Sequence, residues 1–568
     1  MIQSDWKVFL KSILSRSHLL PAVGNAHYRF NRLVNREFAR REVERERELS
    51  LFRREYAGTF RDAQIDSQTS GPRLLVVSSG SLGQLVEIAL VKAFQLAGYR
   101  PVILLDYDRW VERFYCEVGI RELKWWDEYM PVLTDSRASR LMANVESFQQ
   151  LLSVEYDGVR VGKYAASTAL RVLRTGRPDL SDRATRHSVL AFLRRSVACA
   201  KAAKAVFESL RPDLVLSMDL GYSPRGELYD VSLAAGVETV TWNAAHRNNQ
   251  LIMKRYSREN RDVHPASLSG PTWSRLQARP WTQADRDRLR QEIVGSYTTG
   301  EWYSEVGTQF HTSLVEPAAI KATLKLDPTK KTAVIFSHIF WDGTFFYGTD
   351  LFDSYEQWFV ETVRVACENP AVNWVVKIHP ANLVKNVRDG VASEPSELAA
   401  IRSLGKPLPP HVQILGPESP ISTLSLFSVM DYCVTVRGTV GIEAASFGIP
   451  VLTAGTGRYD RLGFTVDSDT RAQFLDRLAR IQEIPPPTPH QRALAERFAY
   501  GVFVLRPFHL RTVTLEYQRD ARASMQMRIN PPGEGGLRNA ADLRSLAQWI
   551  SAGEQDYLSS QDGADAGT

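Results

Sequence analysis

Residues 432–453 read YCVTVRGTVGIEAASFGIPVLT. Tyr432 to Val436 is an apolar run of strand length, and Gly438 lets the chain turn. Gly441 to Phe447 has helix-forming residues, Gly448 stops the helix, and Pro450 to Thr453 is a second short apolar run. Short apolar runs bounded by turn residues mark buried strands. Strand, helix and strand in so short a span make one parallel βαβ unit. Upstream the pattern repeats: Thr332 to Ser337 (TAVIFS) predicts a strand, 353–367 a helix, Trp374 to Ile378 (WVVKI) a strand and Val412 to Leu415 another. Residues 311–485 therefore read as one doubly wound domain.

A second such pattern lies nearer the start. Arg73 to Ser79 (RLLVVSS) predicts a strand, followed by the turn Gly80-Ser81-Leu82-Gly83, an amphipathic helix stopped by Gly98, and the strand Pro101 to Tyr107. Residues 137–210 read as mainly helical. Leu214 to Met218 and Glu238 to Trp242 are further strands, with a helix from about Gly226 between them. The expected organisation is an N-terminal helical segment (1–70), a Rossmann-like domain (71–255), an interdomain segment (256–310), a second Rossmann-like domain (311–485), C-terminal helices that pack back across the domains (486–552) and a polar, disordered tail (553–568). The fold class is α/β, with two doubly wound domains facing a cleft.

Composition agrees with a globular chain. The 568 residues are too many for one core, and 44% hydrophobic with 24% charged residues argues against wholesale disorder. No run of about 18 uncharged apolar residues predicts a membrane span. Asp5, Lys7 and Lys11 interrupt a secretory leader, so a cytoplasmic location is expected. Cys116, Cys199, Cys367 and Cys433 are far apart and make neither a disulfide framework nor a zinc site. The net charge is +6, and residues 1–60 hold 12 Lys and Arg against 7 Asp and Glu. The basic excess thus belongs to one segment, which does not point to nucleic acid. Ile2, Trp6, Phe9, Leu10, Ile13 and Leu14 form a helical stripe with Lys7, Lys11 and Arg16 largely off it. Such a helix suits peripheral contact with anionic lipid at the inner membrane, or packing on protein. The run 36–56 reads as a solvated helix with internal ion pairs.

Open α/β sheets bind ligands beyond the carboxyl ends of their strands, and the candidates follow strands. Lys377-Ile378-His379-Pro380 ends WVVKI: a cation and an imidazole suit phosphate, and Pro380 fixes the turn. In Val436 to Val451, Arg437 offers charge and Thr439 a hydroxyl. Gly438 and Gly441 give a tight turn into a helix N-terminus that attracts anions, and Glu443 accepts from ribose hydroxyls. Asp342, after TAVIFS, can orient a hydroxyl. Asp219, at the end of the strand LVLSM, and Glu227, at the start of the helix that follows, are candidate catalytic carboxylates beside turn and capping roles. Arg225, His246 and Arg247 are acceptor-binding candidates. Asp106-Tyr107-Asp108 reads as solvated loop carboxylates. Without GxGxxG, Walker A or HExxH, no metal and no cofactor is expected.

The segments LKLDPTKKTAVIFSH, WDGTFFYGTDLFDSYEQWF, NWVVKIHPAN and SVMDYCVTVRGTVGIEAASFGIPVLTAG lie within about 325–460. Together they resemble the capsular polysaccharide biosynthesis glycosyltransferases, which include Kdo transferases of capsule lipid-anchor synthesis. The histidine-proline pair is also similar to one in bacterial sialyltransferases and CDP-glycerol-type polymerases, which share a cytidine-nucleotide donor. The resemblance implies a GT-B arrangement, a nucleotide-sugar donor (CMP-linked, Kdo-like) and a saccharide or glycolipid acceptor. It implies that His379 contacts the donor phosphate. Gly438 and Thr439 would hold that phosphate where relatives often carry two serines, and Glu443 would hold the ribose. Two alternatives stay open: a nucleotide-sugar epimerase or hydrolase on the same fold, and a non-catalytic scaffold of a polysaccharide synthesis or export complex.

Overall fold

The computed structural model describes residues 20–62, 71–80, 83–106, 108–131, 136–303, 313–342, 346–389, 394–517, 525–530 and 536–559. The chain forms a mixed α/β structure with two largely parallel sheets. The first sheet comprises β1 (Arg73–Val77), β2 (Arg100–Leu105), β3 (Leu123–Trp125), β4 (Leu214–Ser217), β5 (Thr239–Ala244) and β6 (Gln250–Tyr256). The second comprises β7 (Thr332–Phe336), β8 (Asn373–Lys377), β9 (Val412–Leu415), β10 (Tyr432–Thr435) and β11 (Val451–Thr453). A late strand, β12 (Pro507–His509), returns to the first sheet. The sheet orders are β12-β6-β5-β4-β1-β2-β3 and β11-β10-β7-β8-β9.

Strands buried on both faces read as continuous aliphatic runs, because helices cover both sides. In β1, Leu75 and Val77 pack towards the helices Val161–Leu173 and Arg183–Leu210. Leu74 and Val76 pack on the opposite face towards Gln84–Leu96 and Ala541–Ala552. In the second sheet, Val334 and Val375 line one core while Ile335 and Val376 line the other. Ile339, Trp341 and Phe346, from the loop after β7, insert into a core of the first sheet. The two sheets are therefore joined by packed side chains as well as by the chain.

Three strands escape the sequence pattern for physical reasons. β3 and β12 have three residues each, and β6 carries Lys254 and Arg255. These two cations are buried and compensated from afar. Lys254 Nζ lies 2.8 Å from Asp556 Oδ1, and Arg255 Nη1 lies 2.9 Å from Glu238 Oε2. The expectation of a disordered tail from 553 is corrected as far as Ser559. Asp556 is buried, accepts from the Ser269 amide at 2.6 Å and faces Arg506, while Tyr557 packs on Trp549.

The mixed-charge helix Arg36–Glu55 is capped by Asn35, which accepts from the Phe38 amide at 3.0 Å. It buries Leu49 and Phe52 and pairs Glu46 with Arg113 at 2.9 Å. The amphipathic stripe of residues 2–14 and most of the expected linker 67–72 lie outside the described residues. No helix among the described residues is long and apolar enough to cross a membrane.

Candidate functional site

The chain enters the second sheet at its centre. It builds β7, β8 and β9 to one side and then returns to build β10 and β11 on the other. The reversal lies between β7 and β10, where open α/β sheets leave a crevice beyond the strand ends. A cavity of about 190 Å³ sits there. Its lining includes His338 after β7, Lys377 and His379 at the end of β8, and Gly438, Thr439 and Glu443 after β10. Tyr297, Trp302 and Tyr303 close it from the end of the helix Gln283–Thr299. Six of the eight predicted donor-site residues, Lys377, His379, Pro380, Gly438, Thr439 and Glu443, thus line one cavity; Arg437 and Gly441 do not.

The polar groups of the cavity present mainly donors. His379 Nδ1 accepts from the Ala381 amide at 3.2 Å, so the neutral ring carries its proton on Nε2. Burial and the neighbouring Lys385 lower its pKa to about 4. His338 Nε2 accepts from the Val436 amide at 3.2 Å and lies 3.1 Å from Thr435 Oγ1. Its pKa falls to about 3 through burial and the positive charge of His379. At neutral pH both rings are uncharged. Lys377 donates to the Ile421 carbonyl at 3.1 Å, and burial lowers its pKa to about 8. The helix Thr439–Ser446 begins at Gly438 with no side-chain cap; the Gly441 amide bonds back to the Gly438 carbonyl at 3.0 Å, and Thr439 and Val440, at the helix start, line the cavity.

Glu443 is the exception among these donors. It is buried, Tyr297 donates to its Oε2 at 2.5 Å, and desolvation raises its pKa to about 7. Tyr297 stacks on Trp302 with ring centres 5.0 Å apart, so the glutamate sits behind an aromatic wall. Sequence periodicity around 256–310 is weak and assigned these aromatics no role. Their signal was the clustering of Tyr297, Trp302 and Tyr303 before a segment without strand or helix pattern.

Two expectations about the turn are corrected. The Arg437 guanidinium is turned away from the cavity, bonding Asp350 and the Tyr347 and Thr349 carbonyls. Gly441 serves packing: a Cβ there would stand 2.0 Å from Tyr459 Oη, which itself donates to the Gly438 carbonyl at 2.8 Å. The cation beside the turn is Arg458, in the loop after β11. It donates to Thr439 Oγ1 at 2.8 Å and to the Arg437 carbonyl at 3.1 Å. No motif marked it, because it reaches the site from 19 residues beyond the threonine.

A second polar group joins the two sheets. Lys385, beside His379, forms an ion pair with Asp342. The Tyr222 hydroxyl, after β4, donates to Asp342 Oδ1 at 3.5 Å. Arg171 lies among Tyr222, Asp342 and Asp219. Asp219 has a left-handed backbone (φ +54) and a carboxyl raised by burial, opposed by Arg225 and Arg171. Asp219 and Asp342 are thus brought together across the sheets.

The other first-sheet candidates have different positions. Glu227 is fully buried, and Ser196 and Ser223 each donate to its Oε1 at 2.5 Å. It begins a helix, is enclosed by that helix's packing and does not line the cavity, which is not where the catalytic expectation put it. Arg225 donates to the Ser78 carbonyl at 3.0 Å. His246 and Arg247 lie in the hairpin between β5 and the antiparallel β6, not at a strand–helix turn. His246 Nε2 is 2.7 Å from Glu292 and its ring packs on Trp302, while Arg247 pairs with Glu301 at 2.7 Å. They brace the aromatic wall from behind, which corrects the acceptor-binding expectation. Asp108 caps the helix Arg109–Glu117 by accepting from the Trp110 amide at 2.8 Å, which gives it a structural role.

No protein-family profile and no curated protein matches the sequence. Among solved structures, the β-Kdo 2,4 transferase KpsC of Thermosulfurimonas dismutans is 15% identical over 52% of this chain and 80% of that one, with a TM-score of 0.31. The β-Kdo 2,7 transferase KpsC of the same organism is 15% identical over 57% and 85%, with a TM-score of 0.32. The UDP-GlcNAc 2-epimerase of Neisseria meningitidis, bound to UDP-GlcNAc, is 12% identical over 76% and 96%, with a TM-score of 0.26. A likeness of this size transfers no residue role to the chain.

Proposed function

We propose that the chain is a glycosyltransferase that uses a nucleotide-activated sugar, with a cytidine-linked, Kdo-like donor, in capsular or other surface polysaccharide biosynthesis. The observation that carries this reading is the donor-rich cavity at the reversal of the second sheet. Two uncharged imidazoles, Lys377, the Thr439 hydroxyl and a helix N-terminus suit a phosphate oxygen. Glu443 at the aromatic end suits a ribose. When the bond from the sugar to the phosphate breaks, negative charge grows on the nucleotide, and donors already in place stabilise it without reorganising. The His379 Nε2–H is available to donate to that oxygen.

In this reading residues 311–485 hold the donor and residues 71–255 face the acceptor. We read Asp219 and Asp342 as the carboxylates that receive the acceptor hydroxyl and take its proton, a reading supported by their shared neighbours Tyr222 and Arg171. In this reading the reaction takes place in the cytoplasm. Calorimetric titration of CMP, CDP, UMP and UDP into wild type and His379→Ala tests the donor site. Micromolar binding of a cytidine nucleotide, weakened at least about tenfold (~1.4 kcal/mol) in the variant, is the expected result. A preference for UDP moves the reading to a uridine-sugar enzyme. No binding by any of the four removes the donor site and leaves the scaffold reading.

A further inference from the structure

The geometry around Thr439 gives a role to a residue that no motif indicated. A hydroxyl has one proton to donate and two lone pairs to accept with. Arg458 Nη2 occupies one lone pair of Thr439 Oγ1 at 2.8 Å. The hydroxyl proton must therefore point away from the guanidinium, and no acceptor among the described residues takes it. Thr439 lines the cavity, so that proton is offered to whatever the cavity holds. A donor bonded to a cation is itself a stronger donor. Arg458 is itself held in place, being only 9% exposed. Nη1 donates to the Arg437 carbonyl at 3.1 Å, and its own backbone carbonyl accepts from Ser267 Oγ at 2.7 Å.

We infer that Arg458 is a positioning residue that fixes the Thr439 hydroxyl as a donor to the anionic group of the ligand. It also supplies, from behind the turn, the positive charge expected of Arg437. This rests on the cavity holding a nucleotide phosphate. The consequence is selectivity: an anionic ligand gains from the Arg458–Thr439 pair, and the same ligand without its phosphate gains nothing.

The test is a double-mutant cycle read with two ligands, CMP and cytidine, on wild type, Arg458→Gln, Thr439→Val and the double variant. Each single change should weaken CMP roughly tenfold, the double variant no more than about twentyfold, and cytidine should change less than about twofold. Additive losses of about a hundredfold in the double variant, or equal losses for CMP and cytidine, overturn the inference and leave Arg458 a general brace of the loop. Where Arg458→Gln does not fold, Arg458→Lys keeps one N–H for Thr439 and should stay within about threefold of wild type. The Lys change should add nothing to Thr439→Val; an additive effect there overturns the inference as well. If wild type prefers UDP, the same cycle is run with UDP and uridine. Wild type that binds no nucleotide removes the donor-site reading and this inference together. Wild type that binds while the cycle is additive removes this inference alone.

Discussion

The ends of β4 and β10 are built from the same kinds of residue. Each strand turns into a helix with an arginine, a glycine and a glutamate close to its start: Arg225, Gly226 and Glu227 in one, Arg437, Gly441 and Glu443 in the other. Both glycines lie against a tyrosine, since a Cβ would stand 2.0 Å from Tyr164 Cε1 or from Tyr459 Oη. Both glutamates are buried, and both have pKa values pushed up to about 7 by desolvation. What differs is how the local hydrogen bonds are used. Glu227 takes two serine hydroxyls on Oε1 and Arg225 bonds the Ser78 carbonyl, and neither residue lines the cavity. After β10 the arginine is turned to Asp350, while Gly438, Thr439 and Glu443, each with an internal partner, still border the cavity. Residue type at a strand end is therefore weak evidence for a site, and a surplus of donors over internal acceptors is stronger evidence.

Changes at the two ends should separate stability from binding. The largest effect is expected for Asp230→Ala, in the helix after β4, where Asp230 pairs with Arg160 at 2.8 Å and both are buried. Leaving that guanidinium short of its partner should cost about 3–5 kcal/mol in denaturant unfolding, with nucleotide affinity of the folded fraction unchanged. Gly226→Ala and Gly441→Ala should each cost about 1–3 kcal/mol through overpacking. Gly441→Ala should also weaken nucleotide binding, because it displaces Tyr459 from the Gly438 carbonyl. Equal binding losses in the two variants would erase the distinction between the ends.

The paired glutamates give a smaller effect and a sign that can be checked. Each folded-state pKa is raised from 4.5 to about 7, so the folded protein retains protons that the unfolded chain releases. Their contribution is fully present below pH 4.5 and is lost as pH rises through 7. Glu227→Gln and Glu443→Gln should therefore each stabilise the protein at pH 8, by about 1–3 kcal/mol in thermal or denaturant unfolding. Only Glu443→Gln should weaken nucleotide binding. Lost turnover with intact binding in Glu227→Gln would return that residue to the catalytic set. The smallest expected effect is on proton uptake. His338 and His379 have lowered pKa values, of about 3 and about 4, so their contribution to stability is present above 6.5 and fades as pH falls towards 4. A bound phosphate should raise the His379 value. Nucleotide titrations near pH 5 in buffers of different ionisation enthalpy should then show fractional proton uptake that His379→Gln abolishes.

The second sheet was legible in the sequence because its strands are uninterrupted aliphatic runs with glycine stops, such as Gly448 at φ +82. From that pattern the cavity residues followed, since strand ends and chain reversal locate a crevice. The first sheet was legible only at β1, β2, β4 and β5. β6 was hidden by Lys254 and Arg255, whose counter-charges lie at Asp556 and Glu238. The direction of a side chain was also beyond the pattern. Arg437 and Arg458 are both buried arginines close to the turn, and only packing decides that one serves Asp350 and the other Thr439.

The pairing of β12 with β6 has a consequence for the order in which the molecule can be made. Pro507–His509 hydrogen-bonds to Gln250–Ile252, and the counter-ion that the buried Lys254 has among the described residues is Asp556. A ribosome delivers β6 some 250 residues before its neighbour. Until then the sheet has an open edge, and a lysine in that strand lacks its counter-ion. Open edges pair readily with other chains, and contacts so distant in sequence form slowly. The first sheet, although synthesised first, is completed last, and the nascent chain depends on the second sheet's half being made before its own first half can close.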